Sequence, residues 1–137
     1  MTSNSYTHHS KIKPNDWGWP NFSPGEIACH GDGSIVVVRE AMNALQDMRD
    51  MLGKPMIITS AYRSPVYNAS CGGAPMSKHL EGVAFDILLH RIERGQLLAC
   101  ARDFFTGFGF YQTFLPGDLG PARSWAPSRK AKELWRL

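Results

Sequence analysis

The segment from Ser77 to Asp86 contains the side chains best suited to chemistry. His79 and Asp86 are seven residues apart, with Gly82 between them and an apolar run at 87–89 directly after. Residues 83–89 are rich in branched and aromatic side chains, which predicts a buried strand. A buried carboxylate is costly unless a cation, a metal ion or hydrogen-bond donors lie beside it. The pair therefore suits two of the three protein ligands of a catalytic zinc ion. A turn aspartate beside a surface histidine is the alternative.

The residues around this pair resemble a known family. The pattern Ser77-x-His79-x-x-Gly82-x-Ala84-x-Asp86 follows the sequence Ser-Ala-Tyr-Arg-Ser-Pro at 60–65. Together they resemble the zinc D-Ala-D-Ala carboxypeptidases of peptidase family M15, and most of all its short branch from phage and bacterial genomes. Further similar segments occur in the same order at 22–29, 52–55, 72–75 and 118–125.

This resemblance implies an α+β fold and a zinc cofactor. The expected domain has a small, mostly antiparallel sheet packed against two main helices, as in Hedgehog and DD-peptidase domains. His79 and Asp86 are the implied metal ligands. Arg63 is the implied catalytic residue, contacting the substrate or stabilising developing negative charge, because a guanidinium stays charged and forks onto carboxylates. The alternative role for Arg63 is to neutralise Asp86.

One position departs from the family pattern. Relatives have Phe-x-His-x-Asp before the final motif, and its histidine is the third zinc ligand. Here the run is Phe114 to Asp118, with Pro116 at the place of that histidine. Proline cannot bind zinc. Asp118 is the predicted replacement ligand, although one histidine and two carboxylates make a weaker zinc site. His30 is a second substitute candidate.

Two functions are therefore open. The first is a phage-encoded zinc peptidase, a hydrolase that cuts D-Ala-D-Ala or another peptide bond in peptidoglycan. The second is a catalytically degenerate member that serves as a structural or binding component of a phage virion. The corresponding partners are peptidoglycan stem peptides or other virion proteins.

Composition limits the remaining classes. A chain of 137 residues with 43% hydrophobic content suits one core, and no run approaches the ~20 apolar residues of a membrane span. The N-terminus lacks the apolar core of a signal peptide, so we expect synthesis in the cytoplasm of the producing cell. If the chain is a virion component, we also expect it to be associated with the virion. Three cysteines without paired spacing indicate reduced thiols. No membrane partner is expected.

The net charge of +3 is concentrated at the C-terminal end, where residues 118–137 have five basic and two acidic side chains. This favours an anionic partner or a solvated helix. Nucleic acid is not an expected partner, because aromatic and basic residues do not alternate.

The elements predicted to carry the site follow from periodicity and caps. Residues 1–13 are polar and predict an N-terminal arm, followed by one domain at 14–137. Ser23 to Glu26 matches a capping box. Apolar residues at three- and four-residue steps predict a helix at 35–52, with Ser34 as N-cap and Gly53 after its end. We also predict a strand at 56–60, a helix at 94–105 and a pocket rim at 66–78. Residues 107–111 resemble the next strand of the family.

Overall fold

A computed structural model describes residues 1–136 of the chain. Its strands are β1 (Ser3–Tyr6), β2 (Ile35–Val38), β3 (Ile58–Ser60), β4 (Ala84–Leu88), β5 (Gly107–Gly109), β6 (Phe114–Asp118) and β7 (Arg123–Trp125). Its α-helices are α1 (Pro24–Ile27), α2 (Arg39–Leu52), α3 (Pro65–Ser70), α4 (Arg94–Ala101) and α5 (Arg129–Leu134). Short 3-10 helices occupy His9–Lys11, Pro14–Asp16 and Lys78–Glu81.

The main sheet has the strand order β3-β4-β6-β5-β7. Every neighbouring pair in it is antiparallel except β5 and β7, which are parallel. The prediction of a small, mostly antiparallel α+β domain is therefore confirmed. The strand that contains Asp86 has a neighbour on each side, as expected for a strand rich in apolar residues.

The apolar faces of the helices and the sheet form one core. In α2, Leu45 and Met48 are fully buried, and in β4 Ile87 is fully buried as well. The helices α2 and α4 lie in contact, and Leu97 of α4 belongs to the same cluster as Leu115 of β6. The sheet that bears the polar residues is thus supported by a packed hydrophobic core.

The predicted helix at 35–52 begins later than expected. Residues 35–38 form β2, which pairs antiparallel with β1, and the helix starts at Arg39 after Val38, which provides no side-chain cap. Ser34 is therefore not its N-cap, and that prediction is wrong. Three consecutive valines have stiff branched side chains that fit a strand better than a helix. The predicted end is confirmed, since Gly53 closes the helix in the left-handed conformation with φ 68°.

The first thirteen residues, predicted as an arm, are tied to the domain. Besides the β1–β2 pairing, the Thr2 N–H donates to both carboxylate oxygens of Glu40 at 3.0 Å. The N–H of His9 donates to the carbonyl of Gly33 at 2.9 Å. Because this segment is polar and its partner strand is about thirty residues away in sequence, the sequence did not predict that it forms a short strand.

Other boundaries differ by a few residues. The capping box is confirmed, with Ser23 accepting from the N–H of Glu26 and the Glu26 side chain accepting from the N–H of Ser23. Helix α4 ends at Ala101 and not at 105, because the chain then tightens into turns in which Ala101 accepts from the N–H groups of Phe104 and Phe105. Within residues 1–136 the structure has no helix long and apolar enough to cross a membrane.

Candidate active-site cleft

An open cleft of about 660 Å³ lies over one face of β4 and β6. Its floor is formed by Ala84 and Asp86 of β4 and by Pro116 and Asp118 of β6. The 72–78 segment forms one wall, which confirms part of the rim predicted at 66–78. The opposite wall contains three aromatic side chains and all of β7. Four of the five residues named in the sequence as site candidates line this cleft: Arg63, His79, Asp86 and Asp118.

His79 is presented to the cleft by a tight turn before β4. It lies in the 3-10 helix Lys78–Glu81, which Gly82 ends in the left-handed conformation with φ 75°. A Cβ atom on Gly82 would lie 2.8 Å from the carbonyl oxygen of Val36. Glycine is therefore required there both by conformation and by space. The turn brings His79 back over the strand that contains Asp86.

The orientation of the His79 ring is fixed by its two nitrogen atoms. Nδ1 lies 2.6 Å from the carbonyl oxygen of Ala61, which can only accept, so Nδ1 donates. Nε2 then faces Oδ1 of Asp86 at 3.2 Å. A proton on either atom makes this contact a hydrogen bond, and the same two atoms are the side-chain groups here that would serve as metal ligands.

Arg63 is held against the second oxygen of the same carboxylate. Its terminal nitrogen lies 3.4 Å from Oδ2 of Asp86, while its Nε donates to Ser60 Oγ at 3.0 Å. A contact of 3.4 Å to Asn68 and a backbone bond from the Arg63 N–H to the His79 carbonyl complete its support. The structure thus brings Arg63, His79 and Asp86 together, and Asp86 has a cationic or titratable partner on each oxygen.

Asp118 has a different set of partners. Arg123 donates to both of its oxygens at 2.8 Å, and the Gly120 N–H donates to Oδ1 at 2.9 Å. The carboxylate is buried, with 3% of its residue surface exposed. The hydrogen bonds from Arg123 to Asp118 raise the pKa of the guanidinium. These three hydrogen bonds engage both oxygens, so a metal ion would have to displace or compete with them.

Pro116 lies directly opposite Asp86 in the antiparallel β4–β6 pair. Opposed residues in such a pair place their side chains on the same face, ~5 Å apart at Cβ. Proline has no N–H to donate, so it cannot complete the hydrogen bonds of a strand that is paired on both sides. The β5–β6 pairing accordingly ends at Gly117, the neighbour of Pro116. The side chain closest to Asp86 across the sheet is therefore apolar and contains no ligand atom.

These contacts allow a direct test of whether a zinc ion fits. His79 and Asp86 supply two ligand atoms, Pro116 supplies none, and Asp118 is engaged by Arg123. Across residues 1–136 no cluster of three or more His, Cys, Asp or Glu side chains is arranged to hold a metal ion. His30 is exposed, lies beside the Tyr67 ring at a centroid distance of 6.4 Å and does not line the cleft. The residues present do not fit a zinc centre with three protein ligands.

Several cleft residues were not predicted from the sequence. Arg123 stacks on the Trp125 ring at 4.8 Å while it binds Asp118, and Tyr111 stacks on Phe114 at a centroid distance of 4.5 Å. Lys78 pairs with Glu81 at 2.7 Å at the rim. The spacing Asp118-x4-Arg123 was visible as a motif, but its ion pair depends on the turn between β6 and β7.

The fold and the cleft are those of a small α+β domain compatible with the peptidase M15 class. A family model described as Peptidase M15 matches residues 20–114, which is more than half of the chain. The chain belongs to peptidase family M15, which confirms the resemblance seen in the sequence, and its domain is peptidase-like. A search of curated proteins gave no match. The matched region includes Arg63, His79 and Asp86 and ends before Pro116.

Proposed function

We propose that this domain is a non-hydrolysing member of its family, which binds peptidoglycan stem peptides in the cleft. One observation carries the proposal. The residue that faces Asp86 across the sheet is Pro116, and the nearby carboxylate of Asp118 is bound on both oxygens by Arg123. The cleft is open, with a volume of about 660 Å³, while the set of side chains that would hold zinc is incomplete among the described residues.

The lining of the cleft suits a short peptide with a carboxylate. Its three basic side chains are Arg63, Lys78 and Arg123, and its apolar surface comes from Pro116, Trp125 and their aromatic neighbours. Stem peptides combine small aliphatic side chains with free carboxylates. Such a ligand would place an anionic group near the cations and methyl groups against the apolar wall.

Arg63 is the cation best placed to exchange partners. Its contact with Asp86, at 3.4 Å, is long for a charge-assisted hydrogen bond. Its side chain remains 18% exposed. A ligand carboxylate could therefore accept a second pair of hydrogen bonds from the guanidinium while Ser60 continues to hold Nε.

A zinc-dependent peptidase is the second candidate, and one observation favours it. Nε2 of His79 and Oδ1 of Asp86 lie 3.2 Å apart, and both residues line the cleft. In that reading, these two residues would hold zinc together with a replacement for the missing histidine. Zinc would supply an acidified water for hydrolysis. For Asp118 to serve as that replacement, its carboxylate would have to be released from Arg123.

The test measures metal, binding and hydrolysis on the same preparations. Elemental analysis after desalting is made on the wild type and His79→Ala, and calorimetry follows the binding of purified stem peptides to the wild type, Arg63→Met and Arg63→Lys. We expect far less than one zinc per chain, no cleavage products by mass spectrometry, and binding that Arg63→Met weakens by about tenfold or more. Arg63→Lys should show a smaller loss, because it keeps the charge but not the fork.

Two outcomes would overturn the proposal. About one zinc per chain, lost in His79→Ala and accompanied by stem-peptide cleavage, would establish the peptidase. If the metal-free protein does not bind stem peptides, they are not the ligand of the cleft. A role as a phage virion component, with another virion protein as partner, is a further part of the proposal, and mass spectrometry of purified particles tests it.

A further inference from the structure

The outer edge of the main sheet beside the cleft is an unpaired strand. β7 is the last strand in the sheet order and pairs only with β5 within the described chain. Arg123 and Ser124 of this strand are exposed. An edge strand presents main-chain donors and acceptors to which another extended chain can pair.

The parallel register shows which groups of β7 face outward. The N–H of Arg123 donates to the Thr106 carbonyl, and the N–H of Phe110 donates to the Trp125 carbonyl at 2.8 Å. In a parallel ladder, alternate residues direct both main-chain groups to the same neighbour. Arg123 and Trp125 therefore bond to β5, and the N–H and carbonyl of Ser124 point to the free edge.

Two cavities flank this edge, one on each face of the sheet. The cleft contains Arg123 and Trp125. A second cavity of about 230 Å³, here called the Phe108 pocket, is lined by Phe108, Phe110, Ser124, Trp125, Arg102 and Lys132, with Ala126 at its end. Ser124 is level with Phe108 in the register, so both side chains lie on the same face. Both cavities share Ser124 and Trp125.

We propose that β7 is a docking edge for an extended acidic segment of an L-polypeptide. The segment would pair with the N–H and carbonyl of Ser124 and insert alternate side chains into the cleft and the Phe108 pocket. This goes beyond the binding of stem peptides, because D residues such as those of D-Ala-D-Ala interrupt the side-chain alternation of a regular strand. The partner is therefore a protein segment.

Charge determines the acidic character of the partner. The Phe108 pocket has Arg102 and Lys132 at its rim and no acidic lining residue. Neither cation takes part in a salt bridge among the residues the structure describes. On the other face of the sheet, the cleft has two acidic residues, Asp86 and Asp118, and each is already paired with an arginine. Acidic side chains meet favourable potential on both faces.

The experiment uses the full chain and a short L-peptide of alternating glutamate and valine. The peptide is blocked at both ends, so that it lacks the terminal carboxylate of a stem peptide. Binding is measured by fluorescence anisotropy for the wild type, Ser124→Pro and Ser124→Ala. Proline removes the outward N–H without breaking the β5–β7 ladder, while alanine keeps it and loses only the hydroxyl.

We expect the wild type and Ser124→Ala to bind alike and Ser124→Pro to bind about tenfold more weakly or not at all. Arg102→Gln combined with Lys132→Gln should also weaken binding, while the mirror-image D-peptide should not bind. A matching melting temperature in Ser124→Pro shows that the fold is intact. The Arg102→Gln and Lys132→Gln double variant should keep its stem-peptide binding, because neither residue lines the cleft. That retained binding separates this proposal from the proposed function.

Three results would overturn the proposal of a docking edge: the wild type fails to bind the L-peptide, Ser124→Pro binds it as tightly as the wild type does, or the D-peptide binds as tightly as the L-peptide. Sedimentation adds a fourth. A wild-type dimer that Ser124→Pro converts to monomers would assign the edge to a second copy of this chain instead.

Discussion

Asp86 and Pro116 face each other across the β4–β6 pair, so the side chain opposite the buried Asp86 carboxylate has no atom that could bind a metal ion. Oδ1 of the same carboxylate faces Nε2 of His79 at 3.2 Å, and Oδ2 faces the Arg63 guanidinium at 3.4 Å. These partners meet the requirement that a buried carboxylate be paired. The cleft is thus electrostatically satisfied by protein side chains alone.

This relationship predicts that one substitution can create a metal site. In Pro116→His, an imidazole would project from the same face as Asp86, close enough to join His79 and Asp86 as a third ligand. We expect about one zinc per chain by elemental analysis and a melting temperature that falls when a chelator is added. The matched control is Pro116→Val, which relieves the proline but adds no ligand. Equal zinc content in the two variants would contradict the prediction.

The ion pair between Arg123 and Asp118 predicts a measurable loss of stability. Arg123→Gln leaves a buried carboxylate with the Gly120 N–H as its remaining close donor. Because the Arg123 side chain is 38% exposed, water can replace part of the lost contact. We expect a loss of about 2 kcal/mol in the free energy of unfolding, below the usual range for a fully buried pair. Urea denaturation measures it.

Arg129→Gln is the control for that measurement. Arg129 pairs with Glu133 at 3.1 Å, but its side chain is 93% exposed. An exposed pair of this kind contributes ~0.5 kcal/mol or less. Equal losses in the two variants would show that Asp118 does not depend on Arg123.

The contrast between β2 and β4 shows what the sequence could predict. The strand that carries Asp86 was evident because its apolar run is continuous and local. Residues 35–38 also fit the apolar face of a helix, and only pairing with residues 3–6 makes them a strand. Such a partner is distant in sequence and polar in composition, so periodicity could not identify it.

The candidate site shows the same limit. Arg63, His79 and Asp86 lie in motifs whose spacing predicts a common site, and the structure brings them together. For Asp118, the sequence showed a carboxylate at a suitable distance but not that Arg123 would engage both oxygens. Ion-pair geometry depends on turns and side-chain angles, which residue types do not determine.

Gly82 predicts a strong local effect of a small substitution. A Cβ atom there would meet the Val36 carbonyl at 2.8 Å, and the backbone has φ 75°. We expect Gly82→Ala to lower the free energy of unfolding by about 2 kcal/mol, from left-handed strain and the clash together. It should also displace His79 from Asp86 and weaken stem-peptide binding. Gly95→Ala is the control, since a Cβ there meets no atom within 4 Å. An unchanged unfolding midpoint in Gly82→Ala would contradict the prediction.

The contact between Glu40 and Thr2 predicts that the N-terminal strand is less firmly held in acid. The two hydrogen bonds from the Thr2 N–H lower the pKa of the Glu40 carboxyl below its usual value. A depressed pKa means that the stabilisation is complete above the unfolded pKa of about 4.3 and is lost as the pH falls through the folded value. Glu40→Gln should therefore be less stable than the wild type at neutral pH, and the difference should shrink below about pH 4. Urea denaturation at several pH values measures this difference. Asp47→Asn, which removes an exposed carboxylate from the same helix, is the control for the loss of one surface charge. A gap for Glu40→Gln of the same size at pH ~3 and pH ~7 would mean that the carboxylate charge does not hold β1.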